Sequence, residues 1–217
     1  MDKNPRLMGL HSRTDYTKGV LTKDQLGDDP WKLFAQWLDD ATSLDIQDPT
    51  AFALSTLDDQ EFPHSRIVLL RDIRDGELVF FTNYASEKGQ DLARHSKAGA
   101  TFFWPQLERQ VRIRGTVTQV APAESDAYFS SRPRKSQLGA WASDQSTSTE
   151  GRDVLDQQYE QREKEFDGGD VPRPPHWGGF AIKPVSIEFW QGRASRMHDR
   201  FRCDLDEGAW RMIRLQP

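Results

Sequence analysis

Hydrophobic and polar positions change period several times along the 217 residues. After Asp29-Pro30, the residues Leu33, Phe34, Trp37, Leu38 and Ala41 recur at three- and four-residue spacing. That predicts a helix with one buried face, Asp29 as its cap and Pro30 at its first position. Trp37 lies on the buried stripe and is expected in the core. From Ala51 the pattern turns to strands: Ala51–Leu57, Ser65–Arg71 and Glu77–Thr82, with a turn at Arg74-Asp75-Gly76. Connections this short predict antiparallel neighbours in a meander. Ser86 should cap a short helix running through His95, with Glu87 at its positive end. Ala100–Trp104 and Arg109–Val120 read as two more strands. In the second, Val111, Ile113 and Val117 alternate with Arg112, Arg114 and Thr118, one face buried and one wet.

A helical insertion, about 123–167, follows, with Ala123–Ser131 and Gly151–Phe166 as its pieces. The stretch 131–149 between them is polar and rich in hydrogen-bonding groups, and reads as a binding loop. Pro172, Pro174 and Pro175 make a stiff spacer before the final strands, Phe180–Ile182, Ser186–Trp190, Arg200–Asp204 and Trp210–Leu215. Residues 1–28 read as a polar arm and 29–217 as a single domain. The expected fold is mainly β with helices: a closed or partly open antiparallel barrel.

Composition narrows the chemistry. A net charge of -5 argues against general nucleic-acid affinity. No apolar run approaches the ~20 residues of a membrane-spanning helix. The opening Met-Asp-Lys-Asn-Pro lacks the apolar centre of a secretory signal, and Cys203 is the single cysteine, so the expected compartment is the cytoplasm. Histidines 11, 64, 95, 176 and 198 show no metal-ligand spacing, and no metal is expected. Neither a nucleophile elbow nor a phosphate-binding glycine loop is present.

Anion-binding groups remain. Arg66 and Arg71 bound one strand, and Thr82, Ser86 and Lys88 follow the next; hydroxyls, an ammonium and a helix N-terminus suit a phosphate. Tyr128, Arg132 and Ser136 recur at four-residue spacing, which on a helix would point all three one way, toward a second phosphate. Read as a strand, the segment from Arg196 puts Arg196, His198 and Arg200 on one face, close after Trp190. Such a face suits a planar anion, or is an edge strand blunted by charge.

Seven stretches, in order, resemble the pyridoxamine 5′-phosphate oxidase family: RIVLLR (66–71), FFTN (80–83), LERQV (107–111), YFSSRPRKSQLGAW (128–141), DQSTS (144–148), WGGF (177–180) and IEFWQG…RMHDR (187–200). The resemblance implies an FMN-binding split barrel of antiparallel Greek-key type. It also implies a homodimer with shared active sites. The implied activity is oxidation of pyridoxine or pyridoxamine 5′-phosphate by dioxygen, giving pyridoxal 5′-phosphate. FMN would be held by Arg66, Ile67, Val68, Leu69, Leu70, Arg71, Phe81, Thr82, Lys88, Gln110, Gln145, Ser146, Trp190 and Arg200. The substrate phosphate would fall to Arg71, Tyr128, Arg132 and Ser136. Arg196 and His198 would flank the reacting ring as catalytic residues, with Met197 between them and Asp48 near the reacting carbon. Arg13 and Tyr16 match an arm that covers the site.

Two departures stand out. Arg71 replaces a frequent lysine and should keep the phosphate contact. Glu87 replaces a frequent arginine and is expected to turn to solvent. The readings left open are a related oxidase of the phenazine-biosynthesis type and a flavin- or pyridoxal-phosphate-binding protein without turnover.

Overall fold

The computed structural model describes residues 15–217, so Arg13 lies outside the described residues. Among them are nine strands: β1 (Ala51–Leu57), β2 (Pro63–Leu69), β3 (Asp72–Arg74), β4 (Glu77–Asn83), β5 (Lys97–Trp104), β6 (Arg109–Gln119), β7 (Trp177–Gln191), β8 (Asp199–Asp206) and β9 (Ala209–Leu215). The helices are α1 (Lys23–Leu26), α2 (Pro30–Ser43), α3 (Glu87–Arg94), α4 (Pro122–Ser131), α5 (Arg134–Ala142) and α6 (Arg152–Glu165). The strand order is β2-β1-β5-β6-β7-β4-β3, with β8 joined to β7 and β9 to β8.

That order corrects the expected meander. β1 and β2 do pair, from Ala51↔Leu69 to Leu57↔Pro63, but β4 pairs with β3 and β7 and not with β2. The three residues of β3 form a hairpin with β4 from Asp72↔Val79 to Arg74↔Glu77, and β4 then meets β7 from Leu78↔Ile182 to Asn83↔Trp177.

The contacts divide the chain into two compact units. One comprises the described residues up to Ile46, Phe103–Val111 and Ile187–Pro217; the other comprises Gln47–Phe102 and Arg112–Ser186. In the first, α2 buries Leu33, Phe34, Trp37 and Ala41, as its spacing predicts. Trp37 is a core residue: its indole meets the Phe189 ring edge-on at 5.4 Å. Arg109 covers it at 4.7 Å, tied to Asp40 at 2.6 Å. β8 and β9 form a hairpin whose turn residues, Glu207 and Gly208, both take positive φ.

In the second unit the core is aromatic. Phe52 packs on Phe102 at 5.0 Å and Phe80 on Phe180 at 5.7 Å, all four buried. Burying a side chain of this kind contributes roughly 1.5–3 kcal/mol. A second cluster, Phe129, Leu138, Val171 and Trp177, carries α4 and α5.

Two further expectations change. The stretch 131–149 is not one loop, because Arg134–Ala142 is helical with Gln137 and Leu138 buried. The two strands expected at Phe180–Ile182 and Ser186–Trp190 are a single strand, Trp177–Gln191.

Candidate active site

A cavity of about 500 Å³ opens in the second unit between β2, β4, α4 and α5. Its floor is a stack of parallel rings: Phe81 on Tyr128 at 3.9 Å (15° between planes) and Phe81 on Trp177 at 5.5 Å (11°). Phe81 belongs to β4 and Tyr128 to α4, so sheet and helix set the stack together. α4 ends at Ser131 because Pro133 forces Arg132 into extended backbone (φ -74°, ψ 148°), and α5 starts again at Arg134. Tyr128 therefore sits on α4, Ser136 on α5 and Arg132 in the link between them, not on one helix. All three still line the cavity.

Arg132 is the unusual member. Its guanidinium lies 4.6 Å from the Trp177 ring centre and 5.5 Å from that of Phe129. Its Nη1 is buried with no hydrogen-bond partner among the described residues. Burial lowers its proton affinity first, and the Arg71 charge lowers it further while Tyr128 opposes. A buried cationic donor without a partner is costly unless an anion completes it. Arg71 and Ser136 line the same cavity, giving a donor set suited to a phosphate.

A second group of donors lines the cavity where β4 leads into α3. Ser86 caps α3, accepting from Gly89 N, and Lys88 sits one residue inside the helix. Lys88 Nζ reaches Ser86 Oγ at 3.1 Å and Gln145 Oε1 at 3.0 Å, and Thr82 Oγ1 donates to Gln145 Oε1 at 3.4 Å. Burial, then the Arg66 charge, lowers the proton affinity of Lys88. Ammonium, hydroxyl, amide and helix N-terminus fit a second phosphate, and the flat ring stack fits an aromatic ligand.

Of the other expected cofactor residues, Ile67, Val68 and Leu69 line this cavity. Leu70 is buried and donates its backbone N–H to Thr50 O. Arg66 does not line it: its guanidinium donates to Thr56 Oγ1 at 2.6 Å and pairs with Asp91 at 3.4 Å. Ser146 is exposed with φ 74°, and Asp48 is exposed; neither lines the cavity. Glu87 is exposed, 3.5 Å from His64 Nε2.

Gln110, Trp190, Arg196, Met197, His198 and Arg200 belong to the first unit. The expected strand from Arg196 is absent. Ala194–Arg196 is a 3-10 turn in which Ser195 and Arg196 take positive φ (55° and 60°), and β8 begins only at Asp199. Arg196, His198 and Arg200 therefore share no strand face. Arg196 and Met197 are exposed, whereas His198 packs against Trp190 at 4.7 Å and Tyr16 at 5.6 Å. Tyr16 also meets Trp190 edge-on at 5.6 Å. Arg200 directs Nε and Nη2 at Glu188 Oε1, at 3.1 and 2.8 Å.

Sequence reasoning passed over three residues that hold this machinery. Asp91, buried on α3, accepts from Thr56 at 2.7 Å and binds Arg66. Glu188 fixes Arg200. Asp199 gathers Arg193 at 3.2 Å, Arg214 at 2.6 Å and the Leu21 backbone N–H at 3.2 Å. No spacing along the chain flags these pairs: Asp91 is 25 residues from Arg66, Glu188 is 12 from Arg200 and Asp199 is 15 from Arg214. Cys203 is buried and its thiol is pushed up to about 11, which leaves it unreactive.

Residues 38–164 match the family model described as pyridoxamine 5′-phosphate oxidase, and residues 177–217 match the pyridoxine 5′-phosphate oxidase C-terminal dimerisation region. The chain belongs to the pyridoxamine 5′-phosphate oxidase family. A pyridoxine/pyridoxamine 5′-phosphate oxidase of Synechocystis is 48% identical over 205 residues, 94% of this chain and 96% of the relative. One from Agrobacterium fabrum is 46% identical over 208 residues, 95% of this chain and 100% of the relative. Among solved structures, PhzG from Burkholderia lata in complex with tetrahydrophenazine-1-carboxylic acid superposes with a TM-score of 0.85 at 28% identity, over 91% of this chain and 98% of that one. A pyridoxamine 5′-phosphate oxidase-related, FMN-binding protein from Nostoc punctiforme gives 0.70 at 18% identity, over 87% and 98%. The fold of this family member is the split barrel.

Proposed function

We propose that this protein is an FMN-dependent oxidase that converts pyridoxine 5′-phosphate and pyridoxamine 5′-phosphate to pyridoxal 5′-phosphate. Dioxygen is the acceptor, hydrogen peroxide a product, and ammonia a further product from the amine. The observation that carries the reading is Arg132, a half-buried side chain whose buried Nη1 has no partner among the described residues, in a ring-floored cavity beside Tyr128, Ser136 and Arg71. Near-full-length relatives of this name at 46–48% identity support it.

In this reading Arg71, Tyr128, Arg132 and Ser136 hold the substrate phosphate. Lys88, Thr82, Gln145 and the strand 66–71 hold FMN. Bound there, FMN would supply the two-electron redox chemistry. The phosphate grip is remote from the reacting carbon, so its binding energy serves orientation. Arg196 and His198 take the substrate ring, and Tyr16 covers it. Asp91 anchors the Arg66 guanidinium from the buried face of α3, which makes Asp91 a positioning residue for this site.

Two copies, joined through the C-terminal region, form a homodimer that shares its active sites. The cytoplasm is the proposed compartment; no helix among the described residues is long and apolar enough to cross a membrane. The structural likeness to PhzG favours one alternative, a carboxylated tricyclic ring as substrate.

Hydrogen peroxide formation by the FMN-loaded protein tests the reading. Turnover with pyridoxine 5′-phosphate supports it. Turnover confined to tetrahydrophenazine carboxylates, or none with any ring substrate, contradicts it.

A further inference from the structure

His198 closes a six-residue turn, 193–198, built on strained backbone. Ser195 and Arg196 both take the left-handed conformation (φ 55° and 60°), which non-glycine residues keep only where other contacts hold them. Two hydrogen bonds do so: Met197 N to Ala194 O at 3.1 Å, and the Arg193 backbone N–H to His198 Nδ1 at 3.1 Å. A backbone N–H can only donate. Nδ1 must therefore offer its lone pair, and the single proton of the neutral ring must sit on Nε2. A second proton would have to enter at Nδ1, where it would face the Arg193 N–H, donor against donor.

The surroundings agree. Tyr16 and Trp190 flank the ring, and Arg196 and Arg200 bring positive charge that the Asp199 carboxylate only partly offsets. Asp199 is itself engaged by Arg193 and Arg214.

We propose that His198 serves the reaction as a neutral hydrogen-bond donor through Nε2, its tautomer set by the Arg193 backbone amide, and not as a proton acceptor. The catalytic part rests on the oxidase reading; the tautomer rests on the turn geometry alone. Oxidising the alcohol substrate removes a hydride from carbon and a proton from oxygen. The hydride goes to the bound cofactor, and the proton goes to water or a base other than His198. The imidazole contributes one N–H to an electron-rich atom of the substrate ring system.

Histidine-selective 15N NMR of the purified protein at pH 7 reads the tautomer whether or not the protein turns over. His198→Gln assigns the signal by its disappearance. The expected result is a proton on Nε2 and a bare Nδ1; the opposite tautomer, or a doubly protonated ring, would overturn the proposal. The donor role is read by comparing His198→Gln, which keeps an N–H near Nε2, with His198→Leu, which has none. The Gln variant should hold at least a tenfold advantage in kcat/KM, and equal losses would rule the donor out. A wild-type protein inactive on both B6 phosphates would remove the oxidase reading and the catalytic role with it, while the NMR result would still decide the tautomer.

Discussion

Arg132 lies 4.6 Å above the Trp177 ring and leaves its Nη1 buried and unpartnered. The ring contact helps to position the guanidinium, and the open donor shows where an anion completes it. A lysine could carry the charge but could not reproduce the flat contact. Arg132→Lys should therefore raise KM for pyridoxine 5′-phosphate by about tenfold, the loss of about one charge-assisted hydrogen bond. Steady-state kinetics at fixed ionic strength check this; an unchanged KM would mean that the plane of the fork does not matter.

Lys88 is buried and hydrogen-bonded to Ser86 and Gln145, yet its ammonium is disfavoured by burial and by Arg66. A phosphate would relieve that cost. Lys88→Met should weaken FMN binding by tenfold or more while the apoprotein Tm stays within about 3 °C, the equivalent of about 1 kcal/mol at this size. Flavin fluorescence titration and apoprotein melting, run on the same preparation, separate the two effects. Unchanged affinity with a large fall in Tm would make Lys88 a structural residue.

Asp91 binds Thr56, His64 and Arg66 from the buried face of α3. Removing a buried carboxylate strands its cation; with Arg66 partly exposed, Asp91→Ala should cost about 2 kcal/mol, or about 4–8 °C in Tm. It should also weaken FMN binding, because Arg66 loses its anchor. A loss of stability with full flavin affinity would separate Arg66 from the cofactor site.

Much of this was legible in the residues. The α2 stripe placed Trp37 in the core, and the alternation of Val111, Ile113 and Val117 gave the buried face of β6. Both follow from local period. Strand order did not: β4 follows β2 closely in sequence but pairs with β7, a choice made by contacts nearly a hundred residues apart. The 131–149 stretch looked like a loop because its polar residues hid two buried ones: Leu138, which the aromatic cluster holds, and Gln137, which donates to Phe129 O. Arg196 to Arg200 imitated a strand, but nothing in residue type reveals that Ser195 and Arg196 turn left-handed. The arginines were visible as types. The acids that hold Arg66 and Arg200, Asp91 and Glu188, were not, because an acid that pairs across the fold reads along the chain as ordinary surface charge.

The Arg193–His198 hydrogen bond makes a pH prediction. Burial first, then Arg196 and Arg200, lowers the proton affinity of His198 below its ordinary value near 6.5. The stability that the neutral ring contributes is thus fully present above about pH 6.5 and is lost as pH falls through the lower folded value. Replacing it by asparagine, whose oxygen can accept from the Arg193 N–H, removes the titration. The Tm difference between wild type and His198→Asn should move against wild type from pH 7 to pH 5. A difference constant with pH would contradict the neutral, acceptor role of Nδ1.

The most direct measurement is a two-by-two comparison of kcat/KM: wild type and Arg132→Ala, each with pyridoxine 5′-phosphate and with unphosphorylated pyridoxine. If Arg132 grips the substrate phosphate, the change should lower kcat/KM for the phosphate ester by about 10- to 150-fold, from 1.5–3 kcal/mol of lost charge-assisted hydrogen bonding. It should leave kcat/KM for pyridoxine nearly unaltered. Equal losses on both substrates, or none on either, would show that the cavity does not read the phosphate.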